Sequence, residues 1–132
     1  MWFYNDLVFE EVGENIAYVY CITNLTNGRK YIGKKNLYFS KTRVVKGKRK
    51  RYKVESDWLD YYGSNKELQE DVEKLGKENF KREILRLCKS KGEASYFEAK
   101  EQFTRFVLET DEYYNSWISC RIRKSHLTFL KR

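Results

Sequence analysis

Two short segments near the start of the chain carry side chains that can act on an anionic substrate. The first, residues 18–24, reads Tyr-Val-Tyr-Cys-Ile-Thr-Asn, and the second, residues 31–35, reads Tyr-Ile-Gly-Lys-Lys. A tyrosine phenol can donate a hydrogen bond or, once deprotonated, accept a proton. Its ordinary pKa of about 10 makes it a poor base unless a neighbouring cation lowers that pKa. Lysines beside such phenols therefore suit chemistry on a negatively charged group.

A β-hairpin would bring these two segments together. Residues 16–23 alternate apolar and polar positions like a strand, residues 29–33 form the second strand, and Asn27-Gly28 between them is a strong turn signal. We expect this hairpin to place Tyr20 close to Tyr31. From the spacing alone, the alternative is an aromatic pair that only packs across the strands.

The net positive charge of the chain is concentrated in one stretch. The 132 residues have a formal net charge of +8, and residues 41–53 hold eight cations and no acid. Such a concentration is typical of a surface that binds a phosphate backbone. Lys46-Gly47-Lys48 lies at its centre as a turn, so residues 34–56 predict a second, protruding β-hairpin. The alternative is a solvated loop.

The rest of the chain predicts two helices and a central strand. Ser64 with Glu67, and Ser90 with Glu93, have the spacing of capping boxes that begin helices. Apolar residues between them, at positions 84–88, indicate the strand.

Strands mixed with helices predict an α+β fold. We expect a small antiparallel or mixed three-stranded sheet flanked by helices, with the basic β-hairpin as an insertion. Residues 1–132 are interpreted as a single domain with a core over about residues 16–116 and the insertion over about residues 34–56. Residues 1–15 are expected to form an arm that packs onto it.

Composition argues against several classes of protein. The sequence has no run of eighteen apolar residues and no basic segment followed by an apolar one, so we expect neither membrane insertion nor secretion. Cys21, Cys88 and Cys120 lie far apart, which suits neither a disulfide framework nor a zinc site. The expected location is a reducing compartment, the cytoplasm.

The two tyrosine segments resemble the paired motifs of the GIY-YIG nuclease family. Residues 31–33, Tyr-Ile-Gly, match the second motif fully. In the first motif Tyr20 matches, whereas Tyr18 and Val19 stand where glycine and isoleucine are usual. The chain looks most like a phage-type, free-standing, homing-like subgroup. In that subgroup Lys34-Lys35 leads into a basic hairpin, followed by a tryptophan and a Tyr-Gly-Ser turn, here at residues 62–64.

The resemblance implies a DNA endonuclease that hydrolyses phosphodiester bonds with Mg²⁺ or Mn²⁺. It implies that Tyr20 and Tyr31 are the catalytic tyrosines and that Glu98, on the long helix, binds the metal ion. Glu101 is the alternative carboxylate, three residues further on. Asn115 resembles the asparagine that ties the end of the domain against the site.

The catalytic arginine of the family has no clear counterpart. The equivalent position is Lys41, and Arg43 is the nearest arginine. Either Arg43 serves, or Lys35 supplies the charge, or the site is impaired. The residues expected to contact the DNA backbone are Lys34, Lys41, Lys46, Lys48, Arg49, Lys50, Arg51 and Lys53.

Two other functions stay open at this point. One is a catalytically impaired DNA-binding module with the same fold. The other is a ribosomal or RNA-binding protein. The oligomeric state is not indicated by any pattern in the sequence.

Overall fold

The computed structural model describes residues 1–131, which contain seven β-strands, two α-helices and three 3₁₀ segments. The strands are β1 (Trp2–Tyr4), β2 (Leu7–Val8), β3 (Ala17–Asn24), β4 (Lys30–Asn36), β5 (Tyr38–Val45), β6 (Lys48–Glu55) and β7 (Phe80–Cys88). The helices are α1 (Lys66–Leu75) and α2 (Lys91–Thr104). The 3₁₀ segments are Trp58–Asp60, Lys77–Asn79 and Lys124–Lys131.

The central sheet has five strands in the order β2-β1-β7-β3-β4, and β5 with β6 forms a separate sheet. This confirms the predicted α+β class with a basic hairpin insertion, but the prediction of three strands was too low. The N-terminal arm adds the other two, because β1 pairs in parallel with β7 and β2 pairs with β1. Trp2 anchors the arm: it is buried, and its Nε1 donates a hydrogen bond to the Trp58 carbonyl at 2.7 Å.

The first predicted hairpin is confirmed as β3 and β4. Gly28 adopts a φ of 78° in its turn, a value that favours glycine. The register sets Tyr20 opposite Gly33. The two faces of the sheet are buried differently, since Tyr18, Tyr20 and Ile22 pack with α1 and Trp58, whereas Val19 and Cys21 pack with α2. Tyr18, at the usual glycine position, fills the first of these cores beside Trp2 at 5.0 Å between ring centroids.

The two helices begin close to the predicted positions. Ser90 caps α2 by accepting a hydrogen bond from the Glu93 amide. The cap of α1 is Asn65, whose Oδ1 accepts from the Leu68 amide, so the prediction of Ser64 as the cap was wrong by one residue. Both residue types cap helices well, and here the side chain of Ser64 bonds elsewhere.

The second predicted hairpin, β5 and β6, is confirmed with the predicted centre. Lys46 and Gly47 form its two-residue turn with φ angles of 50° and 76°, as a type I′ turn requires. None of the helices in residues 1–131 is both long and apolar enough to cross a bilayer. The extent of the domain, residues 1–132, stays a prediction.

Candidate active site

A pocket of about 320 Å³ opens at the free edge of the central sheet, along β4. Four parts of the chain meet there: β4, the start of α1, the middle of α2, and the segment that follows Tyr114. The lining residues are Tyr31, Lys34, Ser64, Asn65, Glu98, Gln102, Asn115, Ser116, Trp117 and Ser119.

Tyr31 presents its phenol at the wall of the pocket next to α1. The hydroxyl shares a hydrogen bond with Ser64 Oγ at 3.1 Å, which is where the Ser64 side chain is engaged. Partial burial raises the pKa of Tyr31, and the hydrogen bond with Ser64 opposes that rise only in part. The phenol is therefore protonated at neutral pH and can donate a hydrogen bond.

Tyr20 lies behind Tyr31, as predicted, with 6.1 Å between the ring centroids. It is fully buried, and its hydroxyl lies against Gly33 so closely that a Cβ there would be 2.5 Å from Oη. Burial raises the pKa of Tyr20 well above its usual range, and the neighbouring phenols of Tyr61 and Tyr31 raise it further. Tyr20 is thus a neutral ring beneath the pocket, packed where it can hold Tyr31 in place.

Glu98 projects from α2 into the same pocket. Burial raises the pKa of its carboxyl, while the charge of Lys34 and a hydrogen bond from the Lys34 backbone amide act in the opposite direction. The Lys34 ammonium donates to Ser95 Oγ at 2.6 Å, also on α2. Glu98 and Lys34 therefore line the same pocket, and the Lys34 ammonium is bonded to the helical turn that precedes Glu98. Glu101 instead pairs with Arg105 at 2.9 Å and is not among the residues that line the pocket.

Asn115 and Gln102 join β4 to the rest of the site through the backbone of Ile32. Asn115 Oδ1 accepts from the Ile32 amide at 3.0 Å, and its Nδ2 donates to the Ile32 carbonyl at 2.8 Å. Gln102 Nε2 donates to the same carbonyl at 3.0 Å. These bonds fix the edge strand against α2 and against the segment that carries Trp117.

Two of the predicted catalytic residues lie outside this pocket. Lys35 points to the opposite face of β4 from Lys34, where its ammonium bonds Asp57 at 2.6 Å and lies 4.3 Å from the centroid of Tyr61. Arg43 is exposed on β5 and stacks on Tyr52. Of the predicted set, Tyr31, Glu98 and Asn115 line the pocket and Tyr20 lies beneath it.

Several pocket residues were not predicted to belong to the site. Lys34 was expected only at the DNA surface, yet it is the cation nearest to Glu98 in the pocket. Gln102 lies one helical turn after Glu98, a spacing that puts both on one face of α2 and that the sequence could have revealed. Trp117 is 71% exposed at the rim, and no pattern in the sequence marks it.

The residues of the pocket fit a hydrated divalent cation. Glu98 is the single carboxylate among the described residues that line it, and residues 1–131 contain no group of three or more potential metal ligands. Mg²⁺ commonly binds through one or two carboxylates and keeps several water molecules. The serine hydroxyls and amide oxygens of the lining can hold such waters.

Comparison with known proteins identifies relatives of the chain. A family described as "Putative endonuclease segE, GIY-YIG domain" matches residues 2–118. The "Putative endonuclease segE" of Enterobacteria phage T4 is 35% identical over 99 residues, which are 74% of this chain and 39% of that relative. The chain thus spans about two fifths of the length of this curated relative. No solved structure matches the chain significantly.

Proposed function

The chain belongs to the GIY-YIG endonuclease family, within its segE group, and on that premise we propose that it hydrolyses DNA phosphodiester bonds with Mg²⁺ or Mn²⁺ at the β4 pocket. The observation that carries this proposal is that Glu98, Lys34 and the neutral phenol of Tyr31 line one pocket. The phage origin of the relative supports a phage-encoded, homing-like enzyme acting in the cytoplasm of its host cell.

Glu98 would hold the metal ion in this mechanism. A bound divalent cation would stabilise negative charge on the phosphate and lower the pKa of its water. The raised pKa of the Glu98 carboxyl means that burial disfavours the charged form, so a cation in the pocket compensates for lost hydration. Glu98 must be deprotonated for this role.

Lys34 would attract the scissile phosphate and stabilise the charge that develops on it. This assignment replaces the expectation that Arg43 or Lys35 is the cation of the site. Lys35 is engaged with the carboxylate of Asp57, whereas the Lys34 ammonium donates to the neutral hydroxyl of Ser95. A lysine acts here as a point charge, without the two-pronged geometry of arginine.

Tyr31 would donate its hydroxyl proton to a hydrogen bond, either with a phosphate oxygen or with the attacking water. Ser64 fixes the direction of that hydroxyl at 3.1 Å. Tyr20 and Asn115 would be positioning residues, since one supports the Tyr31 ring and the other ties the backbone of Ile32. Their roles are to hold β4, and with it Tyr31 and Lys34, in place.

The test is cleavage of supercoiled plasmid in Mg²⁺ by the parent protein and by Glu98→Gln, with Glu101→Gln as the matched control on the same helix. We expect Glu98→Gln to lose at least about 100-fold in rate and Glu101→Gln to remain near the parent, because removal of a central electrostatic group typically costs that much. Cutting that survives in Glu98→Gln but not in Glu101→Gln would refute the assignment.

A second pair of variants tests the cation. Lys34→Met should reduce the cleavage rate while leaving the melting temperature nearly unchanged, whereas Lys35→Met should mainly alter stability.

Binding without cleavage by the parent protein would support the alternative, a DNA-binding module that has lost catalysis. That alternative is motivated by the position of Arg43 outside the pocket.

A further inference from the structure

The basic hairpin, β5 with β6, carries positive charge on both of its faces. The register pairs Arg43 with Lys50 and Lys41 with Tyr52, so Lys41, Arg43, Lys48 and Lys50 lie on one face. It pairs Thr42 with Arg51 and Ser40 with Lys53, so Arg49, Arg51 and Lys53 lie on the other. Side chains on neighbouring positions of a strand point to opposite faces, which makes this division unavoidable.

Each face also carries an aromatic ring beneath a cation. Arg43 lies 5.0 Å from the centroid of Tyr52 on the first face, and Lys53 lies 5.9 Å from that of Tyr38 on the second. All seven of the cations on the two faces are exposed. A ribbon that served only to cover the core would have one apolar face, and this one has none.

We propose that the basic hairpin enters the major groove of duplex DNA as a two-stranded ribbon, with one face turned to each of the two phosphate walls. This inference rests on the proposed function for its substrate, DNA. A ribbon lying flat on one phosphate strand would use one charged face and leave the other to solvent, whereas a groove offers phosphates on both sides.

The dimensions agree with the major groove and not with the alternatives. A sheet layer with its side chains occupies about 10 Å, the distance at which sheets stack. The major groove of B-DNA is about 12 Å wide and admits a two-stranded ribbon, and the minor groove is only about 6 Å wide. The major groove of an RNA duplex is deep and narrow, which excludes the ribbon. The substrate is therefore B-form duplex DNA around the cutting site.

The basic hairpin begins shortly after the strand β4 that lines the pocket. Tyr38, its first residue, follows Lys34 by four positions. Eight-residue strands at about 3.3 Å per residue reach roughly 26 Å from Tyr38 to the turn, and the four residues from Lys34 to Tyr38 add at most about 13 Å. The turn therefore lies within about 39 Å of Lys34, close to the length of one turn of B-DNA, about 34 Å, so groove contacts should lie within about one turn of the scissile phosphate.

The first experiment removes two charges from one face at a time. It uses Glu98→Gln as the background so that the DNA stays intact, and compares Lys41→Gln/Lys50→Gln with Arg49→Gln/Arg51→Gln. A short duplex is titrated over a salt series. Each pair should flatten the slope of log K against log salt by about 1.8, since each phosphate contact contributes about 0.9. Lys74→Gln/Lys89→Gln, two exposed cations away from the hairpin, should leave the slope unchanged.

The ribbon proposal is overturned if one face-specific pair changes the slope and the other does not, because that result describes a ribbon lying flat. Melting curves of all variants show whether the fold persists.

A second measurement, dimethyl sulfate interference, is independent of the variants. Methylation at guanine N7, in the major groove, should block binding within one turn of the cut. Interference only from adenine N3, in the minor groove, contradicts the proposal.

A third arm uses an RNA duplex of the same sequence, which should bind at least about 10-fold more weakly because its major groove is closed to the ribbon. Equal binding of RNA contradicts the proposal. The arms also separate this inference from the nuclease assignment. If methylation in the major groove blocks binding but the parent protein does not cut DNA, the ribbon proposal stands and the nuclease assignment is wrong. If the parent cuts DNA but binding depends on only one face of the hairpin, the nuclease assignment stands and the ribbon proposal is wrong.

Discussion

Gly33 is the position where a single methyl group should disturb the site most directly. A Cβ at Gly33 would lie 2.5 Å from Tyr20 Oη, 2.7 Å from Tyr20 Cζ and 3.0 Å from Tyr31 Cε2. Ordinary contact begins at 3.4 Å, so the Tyr20 ring would have to retreat by about 0.9 Å. Trp2 and Tyr61 pack against that ring with centroids at 5.4 Å and 5.8 Å, so it has little room to move.

We therefore expect Gly33→Ala to lower the free energy of unfolding by about 2 kcal/mol, within the range of about 1–3 kcal/mol that overpacking costs. Urea unfolding measures it: with a slope of about 1.5 kcal/mol/M, the midpoint should fall by roughly 1.3 M. Cleavage should fall as well, since Tyr31 is displaced with Tyr20.

Two further variants show whether the clash is the cause. Tyr20→Phe removes the atom nearest to the new methyl group, so Tyr20→Phe/Gly33→Ala should lose less stability than the two single changes added together. Gly28→Ala is the control, because Gly28 has a φ of 78° but no atom within 4 Å of an added Cβ. Gly28→Ala should lower the free energy of unfolding by about 1 kcal/mol through backbone strain alone. In the double variant with Tyr20→Phe, the losses of the two single changes should simply add. A Gly33→Ala change below about 0.5 kcal/mol, or simple additivity with Tyr20→Phe, would refute the packing argument.

Three other predictions follow from the pocket. Cleavage should rise with pH through the raised pKa of Glu98, because only the deprotonated carboxylate serves. The free energy of unfolding of the parent minus that of Glu98→Gln should be greatest below the ordinary pKa of a glutamate and should fall as pH rises through the raised pKa of Glu98. An increase of this difference with pH would contradict the burial of the Glu98 carboxyl. Asn115→Ala removes both hydrogen bonds to Ile32 and leaves the buried backbone amide of Ile32 unpaired, so the free energy of unfolding in urea should fall by about 2–3 kcal/mol. A negligible fall would show that these bonds do not hold β4. Trp117 is 71% exposed whereas the other two tryptophans are 1% exposed, so DNA should quench the fluorescence of Trp117 selectively. Quenching that persists in Trp117→Phe would contradict its position at the rim.

The two adjacent lysines show where sequence reasoning reaches its limit. Strand alternation predicts that Lys34 and Lys35 face opposite sides of the sheet. It does not tell which side α2 covers, because that depends on packing between residues far apart in the chain. The structure puts Ile32 and Lys34 on the α2 side with Glu98, and Lys35 on the other side with Asp57.

The cap of α1 and the number of strands have similar explanations. Ser64 and Asn65 are both good caps, and the hydrogen bond between Ser64 and Tyr31 leaves the cap to Asn65. The two strands of the N-terminal arm have only three and two residues, too few for alternation to be recognised. They form because Trp2 docks into the core and brings the arm beside β7.

Both hairpins could be predicted from the sequence, because turn residues such as Asn27-Gly28 and Lys46-Gly47 act through local backbone preferences. The paired tyrosine motifs likewise indicated the family. Three other features could not be predicted in this way: Tyr20 is buried beneath Tyr31, Lys34 shares a pocket with Glu98, and Arg43 lies outside that pocket. Those outcomes depend on which faces of distant elements pack together, and that is settled by the burial of the whole core rather than by any one segment.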